Sequence, residues 1–416
     1  MFMWFTISLR NILKNGRRSL MTILAIALGF GAINLFQGYV HSTYQGLTHS
    51  AIHGSGLGHL TIFKKGFQTL GKLHPEKYQF NKDEVEAISG ILRKDPNVEL
   101  VTPRLSVAGI VSNGKNSTIF IGEGLVPADD AVIRGDLTKL HTAFSGTFLT
   151  DQEPAGVVLG SDLTAMLSLK QQDYAVILSN SYSGMANALD AKVLGIYNTG
   201  AAATNDKMML MTFRHAQDLV DYQGAERLVV LLKHGGDEKA DAVTAENTRV
   251  LLSKAGYDVE IETWAKLSVF YNQVKNMFDM IFFFIFSIVL VIVVMSVINT
   301  MSMTVMERTR EIGTLRALGF KQYGVKFLFS TEGMLLGLLG SLFGSLIFFS
   351  VYFIILLTHP TYVPPASSNP VPLRVDLVWP ALTRNLVFML ALSMIAAFVP
   401  ARRSARMSIV DALGHV

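Results

Sequence analysis

Four long apolar segments constrain this chain most, because each must be buried in a protein core or in a lipid bilayer. A helix that crosses a bilayer needs about 20 mostly apolar residues. The segments are Leu20–Val40, Met280–Val297, Gly333–Thr358 and Trp379–Pro400. Within them, only Arg384 carries a charge, and its side chain lies near one end and can extend towards the membrane surface. The sequence therefore predicts four transmembrane helices.

The composition fits a membrane protein with a large water-exposed part. Of 416 residues, 50% are hydrophobic and 16% are charged, and the mean hydropathy is +0.37. The net charge of +4 is small and its basic residues lie beside the apolar segments, which indicates membrane topology rather than nucleic-acid binding. The chain has no cysteine, so disulfides and thiolate metal sites are excluded.

Basic residues beside the apolar segments predict the orientation, because cytoplasmic loops are enriched in Lys and Arg. The flanking basic residues are Arg10, Lys14, Arg17, Arg18, Arg308, Arg310, Arg316, Lys321, Lys326, Arg402, Arg403 and Arg406. We expect both termini and the loop after the second segment to be cytoplasmic, and residues 42–275 to lie outside. The first segment is longer than the apolar part of a signal peptide and no small-residue cleavage site follows it, which favours an uncleaved anchor.

The predicted fold is an α-helical membrane protein with four transmembrane helices and a large α+β extracytoplasmic domain inserted between the first and second. The predicted segments are a cytoplasmic amphipathic helix (1–18), TM1 (19–41), the periplasmic domain with helical stalks (42–275), TM2 (276–301), a cytoplasmic coupling hairpin (302–326), TM3 (327–357), a short periplasmic loop (358–378), TM4 (379–400) and a cytoplasmic tail (401–416). For the domain, alternating patterns predict several strands and helices, including a hairpin turn at Asn113-Gly114, and favour two lobes. Residues 191–212 resemble a mobile loop.

Apolar residues at helical spacing also occur outside the four segments. Before the first segment they are Phe2, Phe5, Leu9, Ile12 and Leu13, opposite basic residues, which predicts an amphipathic helix on the inner leaflet. The alternative is a simple extension of TM1. Around the domain they include Phe36, Val40, Leu47, Leu267, Phe270 and Val274. These residues predict two helical stalks that pack together; alternatively, they only pack the base of the domain.

The stretch Thr304–Gly324 combines charge with helical signals. Glu307 with Arg310 and Arg308 with Glu311 are i,i+3 pairs that suit a helix. Gly319 supplies a helix stop, and three apolar side chains are left available for docking, namely Ile312, Leu315 and Leu318. The stretch is thus predicted to be a docking hairpin at the membrane surface. The alternative is an ordinary basic loop.

Small residues and one acid in TM3 indicate helix packing. Gly333, Gly337, Gly340 and Gly344 form a small-xxx-small face that lets helices approach closely. Glu332 lies inside this segment, and an acid there needs a partner, for which Arg308 or Arg316 is the expected candidate. A proton-relay role for Glu332 is the alternative.

The sequence contains few candidates for catalytic or metal-binding residues. The chain lacks G-x-x-x-x-G-K-[ST], G-x-S-x-G and H-E-x-x-H. His49 and His53 share an i,i+4 face but make only half of a zinc site, and polar stalk residues are the favoured reading. Met208, Met209 and Met211 favour packing over copper binding.

Three motifs resemble those of permease subunits of MacB-like (type VII) ABC transporters, which include the LolC/LolE lipoprotein-releasing proteins and relatives of FtsX. They are RNILKNGRRSLMTILAIALG (Arg10–Gly29), VINTMSMTVMERTREIGTLRALG (Val297–Gly319) and VPARRSARMSIVDAL (Val399–Leu413). GSGLGHLTIFKKGF (Gly54–Phe67) and VPPASSNPVPLRV (Val363–Val375) resemble the LolC/LolE branch. One departure is Gln172, where the family usually has glycine, which puts the turn there in doubt.

The resemblance implies a mechanism in which the hairpin docks on a separate ATPase. The residues that match the coupling motif are Glu307, Arg308, Glu311, Ile312, Gly313, Arg316, Ala317 and Gly319. ATP and Mg²⁺ are expected in the partner ATPase dimer, no cofactor in this chain, and a second permease as homodimer or paralogue. Helical movement would pass to the external domain by mechanotransmission in the bacterial inner membrane.

The resemblance leaves three functions open. The first is extraction of lipoprotein or lipid-linked cargo, with a periplasmic carrier. The second is efflux of small amphiphiles or peptides through a periplasmic adaptor. The third is FtsX-like regulation of a cell-wall hydrolase without transport.

Overall fold

The computed structural model describes residues 2–14, 16–71, 73–135, 143–200, 202–363, 370–408 and 412. The chain divides into two compact units. The membrane unit comprises Met1–Tyr44, Val274–Thr361 and Pro372–Val416, and the sheet unit comprises Gln45–Gln273 and Tyr362–Val371. The side chains of Phe2 and Phe5, residues 364–369 of the Val363–Val375 motif, and residues 409–411 and 413 of the Val399–Leu413 motif lie outside the described residues.

Helices make up most of the membrane unit and decorate the sheet unit. They are α1 (Phe2–Lys14), α2 (Gly16–His49), α3 (Pro75–Tyr78), α4 (Lys82–Leu92), α5 (Pro127–Arg134), α6 (Ser161–Met166), α7 (Ala202–Asn205), α8 (Phe213–Val220), α9 (Glu238–Lys254), α10 (Trp264–Leu267), α11 (Val269–Glu307), α12 (Thr309–Ala317), α13 (Gln322–Thr358) and α14 (Trp379–Ala405). Two π-helical turns occupy Ser50–Gly54 and Phe67–Gly71.

The strands lie mainly between α2 and α11. They are β1 (Leu60–Lys64), β2 (Val98–Ser112), β3 (Ser117–Leu125), β4 (Phe144–Gly146), β5 (Gly156–Gly160), β6 (Tyr174–Asn180), β7 (Ala186–Tyr197), β8 (Met208–Thr212), β9 (Arg227–Leu232), β10 (Val259–Thr263), β11 (Thr361–Tyr362) and β12 (Val371–Pro372).

Within the described residues, four helical stretches are long and apolar enough to cross a membrane. They are Gly16–Gly54, Val269–Glu307, Gln322–Thr358 and Trp379–Ala405. Each contains one of the four predicted apolar segments, and the sheet-forming part of the chain follows the first of them. The predicted fold class is thereby confirmed. The predicted boundaries between segments remain predictions.

The apolar core of the membrane unit joins all four long helices and α1. Ile12 of α1 is buried in this core, together with Phe30 of α2, Val293 of α11, Leu336 of α13 and Met389 of α14. α1 spans Phe2–Lys14 and α2 begins at Gly16. Because Ile12 is buried by protein, α1 docks part of its apolar face on the other helices rather than presenting all of it to the leaflet.

The glycine face of α13 brings two neighbouring helices close. Gly333 and Gly337 lie against Ser393 of α14, where a Cβ on Gly337 would approach the Ser393 Cβ to 2.9 Å. A Cβ on Gly340 would lie 2.5 Å from the Cβ of Ile26 in α2. One turn later, Gly344 also faces α2. The four glycines of α13 therefore contact two different helices, α14 and α2.

In the sheet unit, the described strands form a single ten-stranded mixed sheet. Its order is β10-β1-β9-β2-β3-β8-β5-β7-β4, and β6 lies off this path, paired with β2 and β7. The pairs β3–β8 and β5–β7 are parallel, and the other pairs are antiparallel. The long strand β2 joins the two parts of the sheet because it pairs with both β9 and β3. The sequence favoured two lobes. The described strands instead form one continuous sheet, and distinct apolar clusters pack along it.

The predicted hairpin is present, whereas the predicted mobile loop is mostly ordered structure. β2 and β3 pair in a register that places Ser112 opposite Ser117, and the Asn113 side chain accepts hydrogen bonds from the backbone of the turn. Residues 191–212 contain the end of β7, α7 and β8. Met209 and Met211 are buried in the core, as packing predicted. The sequence of β8 lacks the alternation of apolar and polar residues that marks a strand, because both of its faces are buried.

The turn at Gln172 is present, although the family pattern usually has glycine at this position. Its φ of 71° lies in the left-handed region, which glycine adopts most easily. The backbone N–H of Gln172 donates a hydrogen bond to the carbonyl of Val193 at 2.7 Å. The turn geometry is therefore retained, with a glutamine in a position that favours glycine.

Candidate functional site

The coupling hairpin is a short helix set off from its neighbours by two breaks. α11 ends at Glu307, and Arg308 leaves helical geometry with φ −109° and ψ 15° before α12 begins. At the other end, Gly319 has φ 92°, and the Gly319 and Phe320 N–H groups donate to the carbonyls of Arg316 and Leu315. This pattern is the glycine-terminated helix end expected from Gly319.

One face of α12 is buried inside the membrane unit. Thr309, Ile312 and Gly313 are buried. Ile312 belongs to a small apolar cluster whose other buried members are Val305, Val325, Phe329, Ala401 and Ala405. These residues come from α11, α13 and α14, so α12 rests on three of the long helices. Of the predicted coupling residues, Ile312 therefore packs its side chain inward, and Gly313, which has no side chain, lies on the same buried face.

The opposite face of α12 is exposed, and we call it the coupling face. Its members are Arg310, Glu311, Thr314, Leu315, Ala317 and Leu318. Leu318 is 81% exposed and Leu315 is 40% exposed. Two exposed leucines beside charged residues are typical of a contact surface. Glu311 and Ala317 from the predicted coupling set lie here, and Gly319 follows at the exposed end.

Ion pairs around the hairpin agree only partly with the predicted helix pairs. The Nε of Arg308 donates to Glu311 at 2.8 Å, as the i,i+3 spacing predicts. Glu307 pairs instead with Arg18 from the start of α2. Sequence spacing could not show this contact, because the two residues lie far apart along the chain. The pair links the coupling hairpin to the beginning of the first transmembrane helix.

Glu332 lacks the ion pair that the sequence predicts. Its side chain is 2% exposed, and within the described residues its Oε2 atom has no hydrogen-bond partner. Arg316 instead donates a hydrogen bond to the carbonyl of Met407. Arg308 pairs with Glu311. Both expected partners are thus engaged elsewhere or lie out of ion-pair reach.

The predicted stalk residues divide between the two units. In the membrane unit, Phe36 of α2 packs against Phe278 and Phe282 of α11, each with a ring-centroid distance of 6.2 Å. Val40 and Val274 are half-buried on these same helices. These aromatic contacts therefore hold α2 and α11 together near one end of their apolar segments.

In the sheet unit, Leu47 packs on an apolar cluster that includes Ile52 and Trp264. Leu267 is half-buried, whereas Phe270 is 58% exposed. Of the predicted stalk residues, Phe36 and Leu47 therefore make packing contacts, whereas Phe270 is exposed.

The histidine pair does not form a recognisable metal site. The rings of His49 and His53 lie 4.7 Å apart, and Nδ1 of His53 donates to the carbonyl of Ile133 at 2.7 Å. In the described part of the chain, no group of three or more His, Cys, Asp or Glu residues is arranged to hold a metal ion. His53 instead joins the end of α2 to α5.

A buried charge network holds the centre of the sheet unit, and sequence reasoning missed it. Arg104 contacts Asp130 at 2.6 Å, while Glu123 accepts from Arg134 at 2.9 Å and from Arg227 at 2.6 Å. Burial alone would raise the pKa of Glu123, but the charges of Arg104, Arg227 and Arg134 lower it to about 2. Asp130 and Arg134 share α5 at i,i+4 spacing, but Arg104, Glu123 and Arg227 come from three different strands, so sequence spacing indicates only part of the network.

Sequence reasoning also missed an apolar strip on the open face of the sheet. Ile110 of β2 lies opposite Ile119 of β3 and Leu178 of β6, so the three share one face. All three are exposed, as are Ile121 and Val176 on the same strands. The intervening residues are buried. The available signal was that these strands are apolar at successive positions, which is typical of strands covered on both faces.

Two family comparisons match this architecture. Residues 19–247, more than half of the chain, match the MacB-like periplasmic core domain. Residues 283–409 match the FtsX-like permease C-terminal family. The first match covers TM1 and most of the sheet unit, and the second covers the hairpin and the last three long helices.

Curated relatives agree with the family matches. An uncharacterized ABC transporter permease of Methanocaldococcus jannaschii is 22% identical, covering 98% of this chain and 96% of that protein. YvrN, an uncharacterized ABC transporter permease of Bacillus subtilis, is 30% identical over 44% of this chain and 42% of its own length. The pyoverdine export ATP-binding/permease protein PvdT of Pseudomonas putida is 22% identical over 96% of this chain, which spans 57% of that relative. The chain belongs to the MacB-like family of ABC transporter permeases.

Proposed function

We propose that this permease extracts or exports lipoprotein or other lipid-linked cargo from the outer face of the bacterial inner membrane. A separate ATPase dimer in the cytoplasm binds ATP and Mg²⁺ and drives the cycle, and this chain binds no cofactor. Two permease chains, identical or paralogous, form the membrane part of the complex. A periplasmic carrier or adaptor receives the cargo.

The geometry of α12 carries the coupling part of this proposal. Its buried face rests on α11, α13 and α14 through Ile312, while its coupling face exposes Glu311, Leu315 and Leu318. A partner that pushes on this face therefore acts on three long helices at once. The pair Arg18–Glu307 adds α2 to this group. The hairpin is thus placed to pass a partner's movement to every long helix.

Mechanotransmission is the proposed route from the hairpin outward. α11 is the longest described helix with 39 residues, and α2 has 34 residues; both extend beyond their apolar segments. A helix of this length transmits displacement because its backbone hydrogen bonds make it stiff. Packing of Phe36 on Phe278 and Phe282 keeps the two helices together.

The apolar strip of Ile110, Ile119 and Leu178 supports apolar or lipid-linked cargo. Exposed apolar patches of this kind on a water-facing domain mark binding surfaces. The strip lies on the face of the sheet opposite the buried core residues Val111, Phe120 and Ile177. An acyl chain or another apolar group is the chemistry that would cover it.

Two other functions are alternatives to this proposal. The similarity to PvdT, a pyoverdine export protein, favours efflux of a small amphiphile through an adaptor. An FtsX-like regulator of cell-wall hydrolases is the other alternative, which the similarity of residues 283–409 to the FtsX-like permease C-terminal family leaves open. The same apolar strip would then bind an adaptor or a hydrolase.

The coupling proposal is tested by charge reversal on the coupling face. We expect Glu311→Lys to abolish co-purification of an ATP-binding subunit with the full chain while the variant still inserts into membranes. Glu246→Lys is the matched control, because Glu246 also forms an exposed i,i+3 pair with an arginine, on α9. Normal co-purification and ATPase stimulation with Glu311→Lys would refute the docking assignment. The purified chain alone is expected to hydrolyse no ATP.

The cargo proposal is tested by photo-crosslinking from the strip. A crosslinking amino acid at Ile119 should capture acylated protein during ATP turnover, whereas the same group at Val243, which is exposed on α9, should not. Capture of a non-acylated adaptor would favour efflux, and capture of a hydrolase would favour the regulator. Equal capture from both positions would contradict a specific role for the strip.

A further inference from the structure

The cytoplasmic end of α14 carries a groove that the coupling mechanism does not use. It has a volume of about 270 Å³ and is lined by Phe398, Val399, Arg402, Arg403 and Arg406. These residues lie at i, i+4 and i, i+8 spacings, so they share one side of the last two turns of the helix and the residue that ends it. We call them the arginine groove.

The three arginines of the groove concentrate positive charge on one side of the helix end. Arg402, Arg403 and Arg406 are all exposed, and within the described residues none of them forms an ion pair or a side-chain hydrogen bond. Arg18, Arg308 and Arg316, in contrast, all have partners. Like charges at neighbouring helical positions repel one another. A bound anion would relieve that repulsion, and guanidinium groups suit phosphate oxygens because they donate in parallel pairs.

Apolar side chains complete the groove on its membrane side. Phe398 and Val399 are 42% and 45% exposed, and they lie one turn closer to the centre of α14 than the arginines. The groove therefore offers apolar surface next to positive charge along the helix axis. A soluble anion uses only the charged half, whereas an amphiphile with an acidic headgroup uses both. The helix dipole favours cations at this end, but it gives no reason for the exposed apolar pair.

The other side of the same turns is buried by protein. Ala401, Ser404 and Ala405 are buried, and Ala401 and Ala405 share a cluster with Ile312 of α12. The end of α14 thus has one face on the coupling helix and one face open to its surroundings. The open face is available because packing of α12 occupies only the alanine side.

We propose that the arginine groove binds the headgroup phosphate of an anionic phospholipid, with Phe398 and Val399 against its acyl region. The inference uses only the membrane location and is independent of which cargo is moved. The phosphate is the group that the arginines recognise. A lipid, rather than a soluble phosphate, is the source that also accounts for the apolar side chains.

Native mass spectrometry of the full chain, titrated with phosphatidylglycerol or phosphatidylcholine, tests this proposal. Wild type should retain phosphatidylglycerol in preference, and Arg402→Gln/Arg403→Gln/Arg406→Gln should weaken that retention by about tenfold or more. The matched control is Arg10→Gln/Lys14→Gln/Arg17→Gln, which removes three exposed positive charges from α1 and α2 and should keep the preference.

Two further arms separate the possible outcomes. Phe398→Ala, which leaves every charge in place, should weaken lipid retention without changing any effect of inorganic phosphate. If the triple glutamine variant fails to fold in phosphatidylcholine, the wild-type titration and Phe398→Ala still decide. Equal retention of both lipids by wild type, equal losses in the control triple, or displacement of lipid by millimolar inorganic phosphate would each overturn the proposal.

Discussion

The guanidinium of Arg316 donates a hydrogen bond to the carbonyl oxygen of Met407, which joins the coupling helix to the residues just after α14. Arg316 was expected to face a partner ATPase or to neutralise Glu332. In the structure this bond gives Arg316 a contact inside the membrane unit, and its predicted coupling role stays a prediction. Together with Ile312 against Ala401 and Ala405, this bond attaches α12 to the end of α14.

Removing this bond should loosen the hairpin without altering the coupling face. We expect Arg316→Ala to destabilise the attachment of α12 by about 1–2 kcal/mol, because a hydrogen bond from a charged donor is lost. Limited proteolysis within residues 306–324 should become faster. Arg310→Ala is the control, since Arg310 is exposed on the same helix and should leave proteolysis unchanged. Equal protection of wild type and Arg316→Ala would contradict this role.

Close helix approach at Gly340 should tolerate no side chain. Gly340→Ala places a Cβ 2.5 Å from the Cβ of Ile26, so we expect a loss of about 1–3 kcal/mol in thermal unfolding. Gly90→Ala is the matched control, because Gly90 is an exposed glycine inside α4 with no atom within 4 Å of the added Cβ. That change should stabilise by about 0.5–1 kcal/mol. Partial rescue of Gly340→Ala by Ile26→Ala would identify the clash as the cause.

The aromatic contacts of Phe36 should matter more than the exposed ring of Phe270. Phe36→Ala removes packing on Phe278 and Phe282 and should cost about 2–3 kcal/mol, less than a fully buried phenylalanine because Phe36 is half-buried. Phe270→Ala should change thermal stability little. A comparison of the two melting curves in the same nanodisc checks this prediction. Equal effects would show that the pairing of α2 and α11 does not depend on these rings.

Acid should destabilise the sheet unit through Glu123. Its pKa is lowered from 4.5 to about 2 in the folded chain, so the folded state binds this proton less readily than the unfolded state. The stabilisation is therefore complete above pH 4.5 and is lost as the pH falls from 4.5 towards 2. Its size is at most about 3 kcal/mol.

The pH dependence of protease resistance in the full chain measures this effect. Wild type should lose resistance of the sheet unit between pH 4.5 and 2. Glu123→Gln should be less stable at neutral pH, because Arg134 and Arg227 lose a charged partner, and should show a flatter profile in that range. An unchanged slope in Glu123→Gln would assign the acid sensitivity to another group.

The membrane part was readable from local sequence, since apolar length alone identifies a helix that must be buried. The turn at Asn113-Gly114 and the helix stop at Gly319 were equally local, because both depend on backbone conformations that few residues favour. The prediction of a mobile loop at residues 191–212 was wrong, because β8 is buried on both faces and lacks the alternation of apolar and polar residues that marks a strand. The number of lobes also escaped prediction, because β2 crosses between sheet regions by pairing with strands distant in sequence.

By itself, the sequence determined the four apolar helices, the inserted α+β domain and the charged helix between the second and third apolar segments, because each depends on residues adjacent along the chain. Only the tertiary structure decided which face of that charged helix is available. Ile312 packs against residues of α11, α13 and α14, Arg316 donates to the carbonyl of Met407, and Glu307 pairs with Arg18. Such contacts join distant residues, so no local pattern can specify them. The coupling face is what remains exposed after these long-range contacts have formed.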